Sequence, residues 1–137
     1  MNNDRNLAIF SEFTPEQMRN VFAYIIAAKH RGCGITIFTP LDERAIEIKK
    51  KRIEENSGNS ISSFVRFEKC TKEEFWKKLL KSEEKSTIFV LDNVICNAMA
   101  FWAGANIRKE IVVEGYVFRN GKCVDCLFRD EYLKNIF

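Results

Sequence analysis

A chain of 137 residues that is 46% hydrophobic and 30% charged, with 6 Gly and 2 Pro, excludes general disorder and collagen-like or low-complexity structure. Such a length buries roughly two thirds of the unfolded surface, enough for a single core. The formal net charge of +3 is too small to dictate a partner by itself.

No run of about 18 apolar residues occurs, so no membrane span is expected. The polar start, Met1-Asn2-Asn3-Asp4-Arg5-Asn6, lacks an apolar signal segment. The 5 cysteines, Cys33, Cys70, Cys96, Cys123 and Cys126, are odd in number and sit mostly in apolar contexts. They predict free thiols in a reducing, cytoplasmic setting.

In chain order, four apolar runs have strand character: residues 7–10, 35–38, 64–67 and 87–91. They recur at intervals of roughly 23 to 29 residues, which suits a strand, a helix and two short loops. Each run is nearly continuous rather than alternating, as expected of strands buried on both faces.

A threonine-headed helix start follows each of the first three runs: Thr14-Pro15-Glu16-Gln17, Thr39-Pro40-Leu41-Asp42 and Thr71-Lys72-Glu73-Glu74. A threonine oxygen accepts from a free N–H of the first turn, and Pro gives up an N–H that lacks a partner there. The helices carry apolar stripes: Met18, Val21, Phe22, Ile25 and Ile26; then Leu41, Ala45 and Ile48 with Ile46 and Ile53; then Phe75, Trp76, Leu79 and Leu80. Gly32 is the expected stop of the first helix.

The fourth unit differs. Residues 94–105 read as a helix that is apolar nearly all round, either central in the core or in contact with a partner. Residues 110–118 and 122–128 read as two strands of a hairpin, with Asn120-Gly121 as a type I′ turn and Val117 opposite Val124. A short helix closes the chain over 130–137.

The expected architecture is a three-layer, Rossmann-like α/β fold. About four parallel strands carry helices on both faces, extended by a C-terminal antiparallel β-hairpin and short helix. It forms one domain, with βα units over 1–109, the hairpin over 110–129 and the terminal helix over 130–137.

In such sheets ligands bind beyond the carboxyl ends of the strands. Glu12, Thr39, Asp92 and Asn93 fall there and form one candidate site, for a nucleotide or phosphorylated small molecule. Acids at strand ends can also hold Mg2+ for phosphoryl chemistry, with Glu12 and Asp92 as the first choices. Against this, first-turn acids such as Asp42 and Glu43 complement a helix dipole without further function. No cofactor fingerprint is present, because the loops after the first three strands lack glycine.

Met99, Phe101 and Trp102 form a second candidate, an interaction surface for a protein partner or a second copy. Lys49, Lys50, Lys51 and Arg52 form a third, a basic patch for nucleic acid. With Lys29, His30, Arg31, Lys77, Lys78, Lys81, Arg108 and Lys109 they predict a basic amino end of the sheet and an acidic carboxyl end. Dipole complementarity accounts for the same pattern.

Cys123-Val124-Asp125-Cys126 has metal-ligand spacing, but on a regular strand residues three apart face opposite ways. The two thiols are therefore expected to diverge, and no metal site is assigned. The first functional reading is a non-catalytic interaction module.

Overall fold

A computed structural model describes residues 5–57, 61, 63–81, 86–91, 109–113 and 115–127. Among them the chain runs β1 (Asn6–Phe10), α1 (Pro15–Arg31), β2 (Gly34–Thr39), α2 (Glu43–Ser57), β3 (Val65–Lys69), α3 (Lys72–Lys81), β4 (Thr87–Leu91), β5 (Ile111–Val113), β6 (Tyr116–Arg119) and β7 (Lys122–Cys126). This is a mixed α/β fold with one seven-stranded sheet in the order β3-β2-β1-β4-β5-β6-β7. The first five strands in that order are parallel, and β6 and β7 continue as an antiparallel meander.

Local chemistry sets the helix starts. Thr14 caps α1, its hydroxyl accepting from Gln17 N at 3.3 Å. Gly32 ends the helix in the left-handed region at φ 70°, where a side chain would be strained. Thr71 and Glu74 form a reciprocal capping box at 3.2 Å in each direction.

The second start corrects the sequence expectation. Asp42, not Thr39, heads α2, with its carboxylate accepting from Ala45 N at 2.8 Å. Thr39 is still the last residue of β2, and its carbonyl accepts from Cys70 N at 2.8 Å.

The core lies on both faces of the sheet. On one face Leu7, Ile9, Ile35, Ile37, Ile88, Val90 and Val112 meet Val21, Tyr24 and Ile25 of α1 and Ile53 of α2. On the other, Ala8, Phe10, Phe38, Phe89, Leu91, Ile111 and Val113 meet Phe75 and Leu79 of α3. Phe75 is the hub there, with its ring 5.9 Å from Phe10, 5.6 Å from Phe38 and 5.7 Å from Phe89, all inclined rather than flat-stacked.

Strands β1, β2 and β4 are buried almost throughout, as continuous apolar runs require. β3 departs from this, with Arg66, Glu68 and Lys69 exposed, because it is the outermost strand. Ile48 and Leu80, expected on buried faces, are each 53% exposed. α2 instead enters the core through Ile53, its one fully buried residue.

The C-terminal region also differs from expectation. Residues 110–118 are two strands, not one. Gly115, at φ 90°, turns the chain between β5 and β6, so β5 joins the parallel set as a fifth strand and pairs antiparallel with β6. Asn120 and Gly121 do form the expected turn, both at positive φ. The register then slips. Phe118 faces Cys123, but Val117 faces Asp125 rather than Val124, and Val124 is the extra residue of a β-bulge. The expected helices over 94–105 and 130–137 lie outside the described residues.

Candidate functional site

The carboxyl edge of the sheet is occupied largely by its own loops. After β1, the buried Ser11 donates its N–H to Phe38 O at 2.9 Å, and its hydroxyl accepts from Phe13 N at 3.0 Å. Phe13, at φ 58°, drops into the core and stacks on Phe67 at 6.3 Å. Glu12 between them is exposed, and its N–H donates to Gln17 Oε1 at 2.8 Å.

Thr39 ends the neighbouring strand, but it is fully buried and its hydroxyl accepts from Leu41 N at 3.4 Å. Glu12 and Thr39 thus lie on adjacent strand ends, one facing solvent and the other sealed. Asp92 and Asn93, and the interaction candidates Met99, Phe101 and Trp102, lie outside the described residues. Among the described residues, no group of three or more His, Cys, Asp or Glu side chains is placed to hold a metal ion.

Lys49, Lys50, Lys51 and Arg52 occupy the middle of α2 rather than its end, because the helix continues to Ser57 and has no basic residue in its last turn. Glu47, Glu54 and Glu55 stand three or four residues from Lys50, Lys51 or Arg52, which intersperses both signs along the helix. Elsewhere the basic amino end is present: Lys29, His30 and Arg31 end α1, and Lys78 and Lys81 end α3. Lys109 reaches α3 directly, donating to Leu79 O at 2.6 Å, so it caps a carbonyl of the final turn.

A cavity lies at this amino end, opposite to the expectation. It has a volume of about 530 Å³, within the range of small-molecule sites. Its apolar floor is formed by Leu7, Ile88, Val112, Val117 and Leu127. Arg5, Arg31 and Arg119 stand around it with Glu110 and Asp125, which leaves an excess of one positive charge.

The five charges are not equivalent. Arg5 grips Glu110 bidentately, Nη1 to Oε1 and Nη2 to Oε2, both at 2.7 Å. Their side chains are only 27% and 12% exposed. The hydrogen bond to Glu110 raises the Arg5 pKa above its ordinary value, against the opposing effect of burial. Arg119 approaches the same carboxylate through Nε at 3.6 Å, and Arg31 approaches Asp125 at 3.7 Å. Both distances exceed the 2.7–2.9 Å or so of a charge-assisted hydrogen bond. One pair is locked, and the exposed Arg119 guanidinium stands outside hydrogen-bond distance beside it.

The sequence reading singled out Arg31 for its helix end alone and did not bring Arg5, Glu110 or Arg119 to a site. Their one local signal is position: Arg5 directly precedes β1, Glu110 directly precedes β5, and Arg119 directly precedes the Asn-Gly turn. A charge at the mouth of an apolar strand faces the edge of the sheet, where it can meet others.

A second cavity of about 370 Å³ lies under α3 on the other face. Asn6, Thr36, Thr87, Phe38 and Phe89 line it, with Lys78 and Lys81 at its rim. Asn6 Nδ2 donates to Thr36 Oγ1 at 3.1 Å, and Lys78 stands 5.8 Å over the Phe38 ring.

No protein-family model matches the chain, and no curated protein or solved structure matches it significantly.

Proposed function

We propose that the chain is a ligand-binding module that takes a small organic anion in the amino-end cavity. The observation that carries this reading is the combination of an apolar floor with the Arg119 guanidinium, 56% exposed and 3.6 Å from Glu110, beside the locked Arg5–Glu110 pair, with Arg31 also in the lining. Guanidinium forks match carboxylate and phosphate equally well, and the floor suits an apolar body. Arg119 would turn from Glu110 onto the acidic head, while Arg5 keeps Glu110 neutralised.

This keeps the phosphorylated small molecule of the sequence reading and moves its site to the opposite edge. The strand order supports a Rossmann-like, doubly wound description, with α1 and α2 residues on one face and α3 on the other. A reducing, cytoplasmic setting belongs to the same reading, supported by the free, buried thiols of Cys33 and Cys70.

Thermal shift against matched carboxylates and phosphates of equal apolar size tests the proposal and separates the two head groups. Arg119→Ala is expected to weaken the best ligand about 10- to 100-fold, as loss of one charged hydrogen bond implies. Unchanged affinity in both Arg119→Ala and Arg31→Ala overturns it. Protein contact through Met99, Phe101 and Trp102 is a separate proposal that rests on their apolar composition. Its test is whether Trp102→Glu abolishes association while leaving the chain folded.

A further inference from the structure

We infer that Cys123 and Cys126 together form a two-thiolate site for a soft monovalent cation, Cu(I). On a regular strand these positions face opposite ways. The bulge at Val124 cancels that alternation. Cys123 is opposite Phe118 and Cys126 is opposite Tyr116, and those two residues, two apart on β6, share a face of the sheet. The lining of the amino-end cavity gives an independent check. Val124 and Asp125, the two positions of the bulge, both line that cavity together with Val117. Both neighbours thus face one side, and the cysteines that flank them are left on the other.

The Cys123 side chain makes a contact on this side of the strand. Cys123 Sγ donates to Asp125 O at 3.7 Å, and that carbonyl belongs to the peptide bond leading into Cys126. The Cys123 thiol therefore lies along the strand, in the direction of residue 126. Both thiols are free, Cys123 exposed and Cys126 half-buried, so an ion can reach them.

The spacing favours a metal over a disulfide. Same-face neighbours on a strand have Cα atoms about 6.6 Å apart, and a bulge adds to that. This is at or beyond the upper limit of about 6.8 Å for a disulfide. Two metal–thiolate bonds of about 2.3 Å in line let the sulfurs stand about 4.6 Å apart. Soft thiolates select Cu(I), a closed-shell ion content with two ligands in line. The pair supplies two thiolates, the ligand number of two-coordinate Cu(I), whereas a structural Zn2+ site takes four ligands. On binding, each thiol gives its proton to solvent and forms one S–Cu bond, with no change of oxidation state.

The test is an anaerobic titration of the full chain against Cu(I) held by a chromophoric chelator. One equivalent of Cu(I) should leave the chelator for the native chain and for Cys96→Ser, and none should leave it for Cys123→Ser or Cys126→Ser. Equal uptake by the Cys123→Ser/Cys126→Ser double variant overturns the assignment, as does failure of the native chain to compete. Far-UV circular dichroism of the serine variants confirms that they remain folded, since neither thiol supports the core.

Discussion

The Arg5–Glu110 pair joins the entry of β1 to the entry of β5, across 105 residues of sequence. Each of its two hydrogen bonds is charge-assisted, a type that contributes about 1.5–3 kcal/mol, and desolvation of both groups offsets part of the total. Arg5→Leu leaves a carboxylate that is 12% exposed with only Arg119 at 3.6 Å, and should cost about 3 kcal/mol. Glu110→Leu leaves a guanidinium that can still reach water, and should cost about 1.5 kcal/mol. The double variant removes both charges and replaces them with apolar surface, so its cost should be about 2.5 kcal/mol rather than the sum, a coupling of about 2 kcal/mol. Urea unfolding followed by circular dichroism measures all three, and the same losses appear as roughly 3 °C of Tm per kcal/mol. A coupling below about 0.5 kcal/mol would mean a solvent-screened surface pair. The view of Arg5–Glu110 as the fixed wall of the cavity would then be wrong.

Two further predictions concern α3. Phe75→Ala removes the ring that touches Phe10, Phe38 and Phe89, and should cost about 3–5 kcal/mol in urea unfolding, with Phe75→Leu costing less than half of that. Glu74 is held below its ordinary pKa of 4.5 chiefly by the Thr71 N–H and then by the Thr71 hydroxyl. A depressed folded-state pKa means that its stabilisation is complete above the unfolded value and is lost as pH falls through the folded one. Glu74→Gln should therefore flatten the acid side of the Tm–pH profile below about pH 4.5 and leave its slope near pH 7 unchanged.

What was legible in the sequence was local. The four apolar runs became β1 to β4, and the caps at Thr14 and Thr71 formed, because burial of continuous strands and capping of a first turn depend on neighbours in the chain. Thr39 shows the limit. Thr-Pro is a good helix opening, but pairing with β3 carried β2 on through Thr39 and left Asp42 to cap α2. Gly115 and Val124 show it again. Either segment reads as uninterrupted strand, and only its pairing shows the turn at one and the bulge at the other. The bulge also reversed the argument about Cys123 and Cys126, since period-two alternation holds only while the ladder is regular.

The candidate site was less legible than the fold. Glu12 and Thr39 stand where strand direction placed them, yet Thr39 is sealed by its own hydrogen bond. The arginine-lined cavity unites residues from β1, α1, β4, β5, β6 and β7, and depends on β5 lying next to β4 and on the meander that follows. Strand order is set by crossovers between distant segments, and hydrophobic periodicity does not encode it.

Anion binding at the amino end of the sheet can be read residue by residue in a backbone-amide NMR titration. With the best small carboxylate or phosphate, saturable shifts are expected at Leu7, Ile88, Val112, Val117 and Leu127, abolished by Arg119→Ala, while Ser11, Glu12 and Thr39 stay unmoved. Shifts confined to Ser11, Glu12 and Thr39, or shifts that survive Arg119→Ala undiminished, would contradict it.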